Sequence, residues 1–501
     1  TPSAVCEDRS YEMATPKDRL RDIDDEPEMD LDALEAESLP LHTLQNGSLS
    51  SAANNAPPKS PAQHRSTAYL DGLRGLAAFF VYYYHHLSWF YGPTAPFVWG
   101  LGHVDAETGE GGWYFVQLPW IRIFFSGGNP AVAIFFVLSG YVLSISPFRK
   151  LHDGRRKDVL NGLVSATVRR PFRLYIPVIG VSLAFVLAMH LPFGLAPKVG
   201  WPTPKDSLAA ELAEWVPQTL RVLNPFALLG ITKPWYIYDP PAYTMAIEYV
   251  GSMLVFALLA CLTFIRSARL HGLILVLLTL AFLLTYHWTW AMFTMGMFLA
   301  LNDVEAFDAS FLSRFGTRAT NTLHHTSFIV GWYLLSQPAG PMDAGKMSMD
   351  TPGWYILTNL IPSIYIGPKK EYWRWWNSWG ALLLVYSVLR IRWLQRFFTS
   401  RPLVYLGRLS FMLYLTHTPV LWTFADRVYR ALGNVPAEGM STWWDGRFEV
   451  PNWGPHGFGT RWFLAQGVVL PVQFLVAEVA TRGIDRPSIE VGRWIVGRLG
   501  I

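Results

Sequence analysis

The chain has 501 residues, 51% of them hydrophobic and 15% aromatic, with only 16% charged and a formal net charge of +4. That balance excludes an ordinary soluble globular protein, in which about a quarter of residues are charged. It also argues against a nucleic-acid partner, because the basic residues flank apolar segments, where attraction to anionic lipid and topology setting account for them.

Residues 1–66 are polar and acidic, with Asp22, Asp24, Asp25, Glu26, Glu28, Asp30, Asp32, Glu35 and Glu37 close together, and hold no apolar run able to make a core. They read as a disordered cytoplasmic tail. No basic stretch followed by a short apolar one marks a cleaved signal peptide. From residue 67 to 495, apolar segments recur that approach the roughly 20 residues a bilayer crossing needs. The expected spans are 69–90, 131–148, 174–193, 244–265, 270–287, 289–303, 323–337, 378–395, 403–425 and 460–481. The expected fold is therefore all-α, a polytopic transmembrane helical bundle with about ten spans in one membrane domain, since backbone in hydrocarbon must satisfy its own hydrogen bonds. Segments 289–303 and 323–337 are short enough to be tilted, extended or partly re-entrant, and 356–366, with Pro362, reads as interfacial or re-entrant. Residues 496–501 form a short cytoplasmic end.

An even number of spans puts both termini on one side. Arg149, Lys150, Arg155, Arg156, Lys157, Arg169, Arg170 and Arg173 before the third span, and Arg390, Arg392, Arg396, Arg401 and Arg408 before the ninth, identify that side as cytoplasmic. The alternate loops, rich in Trp, Pro and Gly, face a lumen or the exterior, and both the endoplasmic reticulum and the plasma membrane fit. The sequon Asn46 to Ser48 is then cytoplasmic and unused. Trp89, Tyr91, Trp288, Trp290, Trp373, Trp375 and Trp376 sit at segment ends, as an interfacial belt requires. Cys6 and Cys261 occupy unlike environments and imply no disulfide. No cluster has metal-ligand spacing, so no catalytic metal is expected.

The first span carries Asp71, Arg74, His85 and His86. An arginine inside an apolar helix is either functional or paired within the bundle. Arg74 and His85 are eleven positions apart, three turns plus about 20°, so they share a face and lie about 16 Å apart along the axis. His86 points away by about 100°. The structural alternative for Arg74 is an ion pair with Asp71 one turn earlier. For Arg170 and Arg173 it is plain positive-inside topology. Glu248 stands in an apolar segment where an unpaired carboxylate would be costly, and it has three open roles: orienting His85, pairing with an arginine, or binding an acceptor. His417 has a polar-contact role or a site role, and the sequence does not choose.

An arginine, ten intervening residues and a histidine in the first helix resembles the signature of the membrane acyltransferase-3 family. Phe135-Phe136-Val137-Leu138-Ser139-Gly140-Tyr141 is similar to a second motif of that family, and Arg170-Pro171-Phe172-Arg173 to its Arg-x-x-Arg motif. Thr244-Met245-Ala246-Ile247-Glu248 resembles a fourth, with Tyr243 where tryptophan is common. Gly407-Arg408-Leu409-Ser410-Phe411-Met412-Leu413-Tyr414-Leu415-Thr416-His417 resembles the late Gly-x-x-Ser-aromatic-x-x-Tyr-Leu-x-His pattern. The resemblance implies O-acyl transfer, acetyl by default, from cytoplasmic acyl-CoA (acetyl-CoA) as co-substrate to a hydroxylated small-molecule or glycan acceptor. It points to His85 and Glu248 as catalytic and to Arg74, Arg170 and Arg173 as donor-binding residues. His85 suits removal of the acceptor's hydroxyl proton, and the planar guanidinium groups suit phosphate. No Ser or Cys stands in a nucleophile motif, which favours direct transfer over an acyl-enzyme. The competing expectation is a polytopic transporter, although the two halves share no motif of the kind that paired repeats produce.

Overall fold

A computed structural model describes residues 67–92, 100–102, 112–192, 194–198, 202–225, 236–339, 345–367, 370–436, 441–454 and 459–501. The acidic tail, its sequon and Cys6 lie outside the described residues, as do parts of the expected lumenal loops. The described residues form helices and turns without a strand. The longer helices are α1 (Ala68–Tyr91), α2 (Gly128–His152), α3 (Arg156–Met189), α4 (Leu208–Val222), α5 (Thr244–Leu262), α6 (Ala268–Leu284), α7 (Trp288–Glu305), α8 (Gly316–Leu335), α9 (Trp373–Arg390), α10 (Arg392–Phe398), α11 (Arg401–Val420), α12 (Thr460–Ala480) and α13 (Arg486–Leu499).

Among the described residues, four segments are long and apolar enough to cross a membrane: Gly128–His152, Arg156–Met189, Pro240–Leu262 and Thr460–Leu499. The other expected spans also fall on helices, but α6 has only 17 residues, and α1 and α11 carry charged and imidazole side chains turned into the bundle. One boundary differs plainly from expectation. The third span was expected at 174–193, whereas α3 begins at Arg156 and runs 34 residues, about 51 Å at 1.5 Å per residue. That exceeds the roughly 30 Å of hydrocarbon, so its first half projects beyond the bilayer. Its polar sequence lacks the apolar run by which spans are recognised, which is why Arg170 and Arg173 lie near mid-helix rather than at a helix start.

α2 sits at the centre, buried almost continuously from Gly128 to Ile145. Its tightest neighbour is α7, because Gly140 and Gly296 remove side chains where the two backbones meet: a Cβ on Gly296 would lie 2.1 Å from the Val137 carbonyl oxygen. Small residues permit such approach where no aqueous hydrophobic force drives helices together. A second crossing of the same kind positions the site. Gly75 of α1 and Gly407 of α11 face one another, a Cβ on Gly75 falling 2.3 Å from the Gly407 amide nitrogen and one on Gly407 falling 2.3 Å from the Asp71 carbonyl oxygen. The helices then continue side by side in the same direction, and ten residues further along each, about 15 Å, come His85 and His417.

Gly407→Ala is expected to force α1 and α11 apart and lower stability by about 1–3 kcal/mol, as overpacking does. Thermal unfolding of the detergent-purified protein checks this against Gly467→Ala in α12, where nothing lies within 4 Å of an added Cβ. The control should unfold at the wild-type temperature or slightly above.

Candidate active site

His85 and His417 are both buried, 5% and 0% exposed. Their rings are nearly parallel, 15° apart with centroids at 4.8 Å, and are joined through His85 Nδ1 and His417 Nε2 at 2.8 Å. His417 Nδ1 bonds the backbone carbonyl of Tyr414 one turn earlier in α11. A carbonyl only accepts, so in the neutral pair Nδ1 of His417 must carry hydrogen and its Nε2 must be a lone pair. That lone pair accepts the Nδ1–H of His85, and it is also 3.2 Å from the Thr418 hydroxyl. The remaining ring nitrogen of His85, Nε2, is then an unprotonated lone pair, and it is buried with no hydrogen-bond partner among the described residues. The order of the chain, from carbonyl to His417 to His85, thus settles both tautomers from one fixed backbone atom.

His86 turns away, as the helical angle requires, and accepts or donates at 2.8 Å to the Tyr429 hydroxyl. Tyr429 is bonded by Gln466 of α12 at 2.9 Å, and Gln466 accepts from Tyr82 at 2.7 Å. This network ties α1 to the carboxyl-terminal helices. Arg74, 6% exposed, pairs with Asp71 at 2.9 Å, the structural alternative recognised for it.

A second polar cluster joins three helices. Glu248 of α5 is fully buried and forms an ion pair with Arg170 of α3. The Ser139 hydroxyl of α2 donates to the same carboxylate oxygen at 2.7 Å. Arg170 Nε donates to the Ser252 hydroxyl at 2.8 Å, and Ser252 in turn donates to the Glu248 carbonyl at 2.7 Å. Of the three roles open to Glu248, the structure displays pairing with an arginine. Burying such a pair is made tolerable by the added hydrogen bonds from Ser139 to the carboxylate and from Arg170 to Ser252. The five sequence motifs thus meet in two groups. The first helix and the late motif build the imidazole pair, while the other three motifs build the ion-pair cluster.

Beside this cluster lies a cavity of about 210 Å³. Arg170 and Arg173, both singled out in the sequence, line it, together with Lys150, Arg169, Arg493 and Ser488; Arg74 does not. Its apolar wall includes Val142, Leu143 and Phe256. Two features escaped the sequence reading. The first is His417 as partner of His85, because the residues are 332 positions apart. The second is Asp239, before the Pro240–Tyr243 turn that packs on α11. Asp239 is 1% exposed, and neither of its carboxyl oxygens has a partner among the described residues. Burial pushes that carboxyl well above the usual carboxylate range.

Residues 67–448 match the family described as an acyltransferase domain. Three fungal proteins are similar over most of their length. O-acetyltransferase PaAT-1 of Phomopsis amygdali is 26% identical over 457 residues, 87% of this chain and 85% of that protein. Acyltransferase clz18 of Cochliobolus lunatus is 23% identical, with 72% and 84% covered. Acyltransferase R4 of a Phoma species is 22% identical, with 74% and 86% covered. No solved structure matches.

Removing one member of the Arg170–Glu248 pair should destabilise the bundle by about 3–5 kcal/mol, since the other charge is left buried alone. Glu248→Leu is the variant to measure, by unfolding in mixed detergent. The double change Arg170→Met with Glu248→Leu should recover most of the loss.

Proposed function

The chain belongs to the acyltransferase-domain family, and from that premise we propose that it is a membrane-embedded O-acyltransferase in which His85 is the general base. The observation that carries the proposal is the hydrogen-bonded chain from the Tyr414 carbonyl through His417 to His85. It leaves His85 Nε2 as a buried lone pair with no partner among the described residues, which is the state a base needs before substrate arrives. The donor is acyl-CoA, acetyl by likeness to the relative named an O-acetyltransferase.

In this mechanism the acceptor's hydroxyl approaches His85 Nε2, which takes the proton as the oxygen attacks the thioester carbonyl. The carbon–sulfur bond then breaks, and the thiolate leaves with the proton that His85 returns. His417 is a positioning residue: it holds the tautomer and supports the imidazolium that forms transiently. Arg170 and Arg173 face the donor's phosphates at the cavity, while Val142, Leu143 and Phe256 provide apolar surface for the pantetheine arm. Glu248 acts by holding Arg170 in place. Asp239, buried and without a partner among the described residues, offers a hydrogen-bonding carboxyl to the acceptor, a hydroxylated small molecule or glycan. We further propose the full set of about ten spans, with both termini cytoplasmic in the endoplasmic reticulum or plasma membrane. The basic residues ahead of α3 and α11 support this orientation.

The test uses the full chain purified in detergent, with acetyl-CoA labelled in the acetyl group and a panel of sugar and terpenoid alcohols. His85→Ala should reduce ester formation about 10²- to 10⁴-fold, the range of a lost general base. Full activity in a His85→Ala variant that melts like wild type would sink the assignment. His417→Ala should lose activity as well, and His417→Gln should recover part of it, because an amide oxygen can still accept from His85 Nδ1. A purely structural His417 would give equal losses in both variants once their melting temperatures match.

A further inference from the structure

The matched family region ends at residue 448, yet the cavity beside Arg170 is closed by residues well beyond it. Ser488, Gly492 and Arg493 of α13 form one wall. α13 is strongly two-sided. Ser488 and Gly492 are buried, with Gly492 against the α3 backbone, where an added Cβ would stand 3.5 Å from the Arg169 carbonyl oxygen. On the other face Val491, Trp494 and Leu499 are exposed, an apolar stripe opposite the packed one. Earlier in the same segment Ile484 packs on Gly180, where an added Cβ would come within 2.8 Å. These contacts lay α13 along α3 and bring Arg493 to the cavity mouth.

The charge around that mouth is one-sided. Lys150, Arg169, Arg170, Arg173 and Arg493 all line the cavity, and among the described residues no Asp or Glu does. Arg170 has its partner in Glu248. Lys150, Arg169 and Arg493 form no ion pair among the described residues, and Arg169 bonds only the Ser165 carbonyl oxygen, at 3.4 Å. Lys150, Arg169 and Arg493, like charges with no ion-pair partner among the described residues, repel one another, and the repulsion is relieved when a multiply charged anion enters. Guanidinium groups favour phosphate in that role, through paired N–H donors in a plane.

We infer that α13 completes a phosphate site shared with α2 and α3, with Arg493 and Lys150 binding the phosphates of the acyl-CoA donor. The inference rests on the donor reading given above and extends it to a helix outside the matched family region. A donor with a diphosphate and a 3′-phosphate supplies several negative charges in one molecule, matching a ring of cations better than a single lipid headgroup does. The apolar wall of Val142, Leu143 and Phe256 continues the site in the direction a pantetheine arm would take.

The experiment titrates CoA and 3′-dephospho-CoA against the full chain in nanodiscs of phosphatidylcholine alone, and again with phosphatidylserine added. Arg493→Ala is expected to weaken CoA binding about tenfold, as loss of one charge-assisted phosphate contact does, in both lipid compositions, while Arg493→Lys should keep most of the affinity. Lys150→Ala should act in the same direction. If wild type binds CoA and both alanine variants bind it equally well, the α13 site is wrong although the donor reading stands. A wild type that binds no CoA removes the donor reading itself. An Arg493→Ala effect seen only with phosphatidylserine present identifies the cavity as a lipid headgroup site and overturns the inference.

Discussion

The close approach of α1 and α11 at Gly75 and Gly407 is the constraint on which the site depends. With a Cβ at either position the backbones could not meet, since an added carbon would fall 2.3 Å from main-chain atoms of the other helix. Once they meet there and run on in the same direction, His85 and His417 have little freedom to miss one another. Two imidazoles in an apolar bundle can be oriented only by protein neighbours, because no water competes for the nitrogens that bond. The Tyr414 carbonyl supplies the fixed end of that satisfaction, and the tautomers of both rings follow from it. Backbone packing at one level of the helix pair therefore decides side-chain chemistry about 15 Å away.

The ion-pair cluster does comparable work for α2, α3 and α5. Arg170, Glu248, Ser139 and Ser252 are joined by an ion pair and hydrogen bonds, so the three helices are held in one relative arrangement. Hydrophobic packing between helices is weakly directional, and polar groups add specificity where lipid is the solvent. α2 belongs to both arrangements. It contributes Ser139 to the cluster and packs against α1, so the helix that carries His85 and the helix that carries Arg170 are referred to a common central element.

Much of this was legible in the sequence, where the physics is local. Helical periodicity put Arg74 and His85 on one face and turned His86 aside. Glu248 was conspicuous as a carboxylate in an apolar run, and its need for a partner followed from burial alone. Its role did not follow, since orienting His85, pairing with an arginine and binding an acceptor were all open until the helices had been placed. Arg74 took the near alternative, Asp71. His417 looked ambivalent because its role depends on a residue 332 positions away. The polar first half of α3 and the whole of α13 were hidden for another reason. Both are helices whose polar residues face water or the cavity, and a search for apolar runs passes over them.

Those two polar helices matter because of where they lie. A transferase that draws on a water-soluble, highly charged donor and works inside an apolar bundle faces two opposed requirements. Phosphates need cations and water, whereas a neutral imidazole base needs a site from which water is excluded. A helix about 51 Å long such as α3 spans both environments. Its first half carries Arg169 beside Arg493 and Lys150, and its second half, from Leu174 onward, is the apolar segment that packs in the bundle. Arg170 stands at the junction, one side of its guanidinium bound into the buried cluster and its side chain lining the basic cavity. In the proposed mechanism, separating the two requirements along one rigid helix would let the charged end of the donor stay at the membrane surface while its reactive end enters the dry interior. In the proposed enzyme that separation explains why the cations and the imidazole pair form distinct clusters instead of a single site.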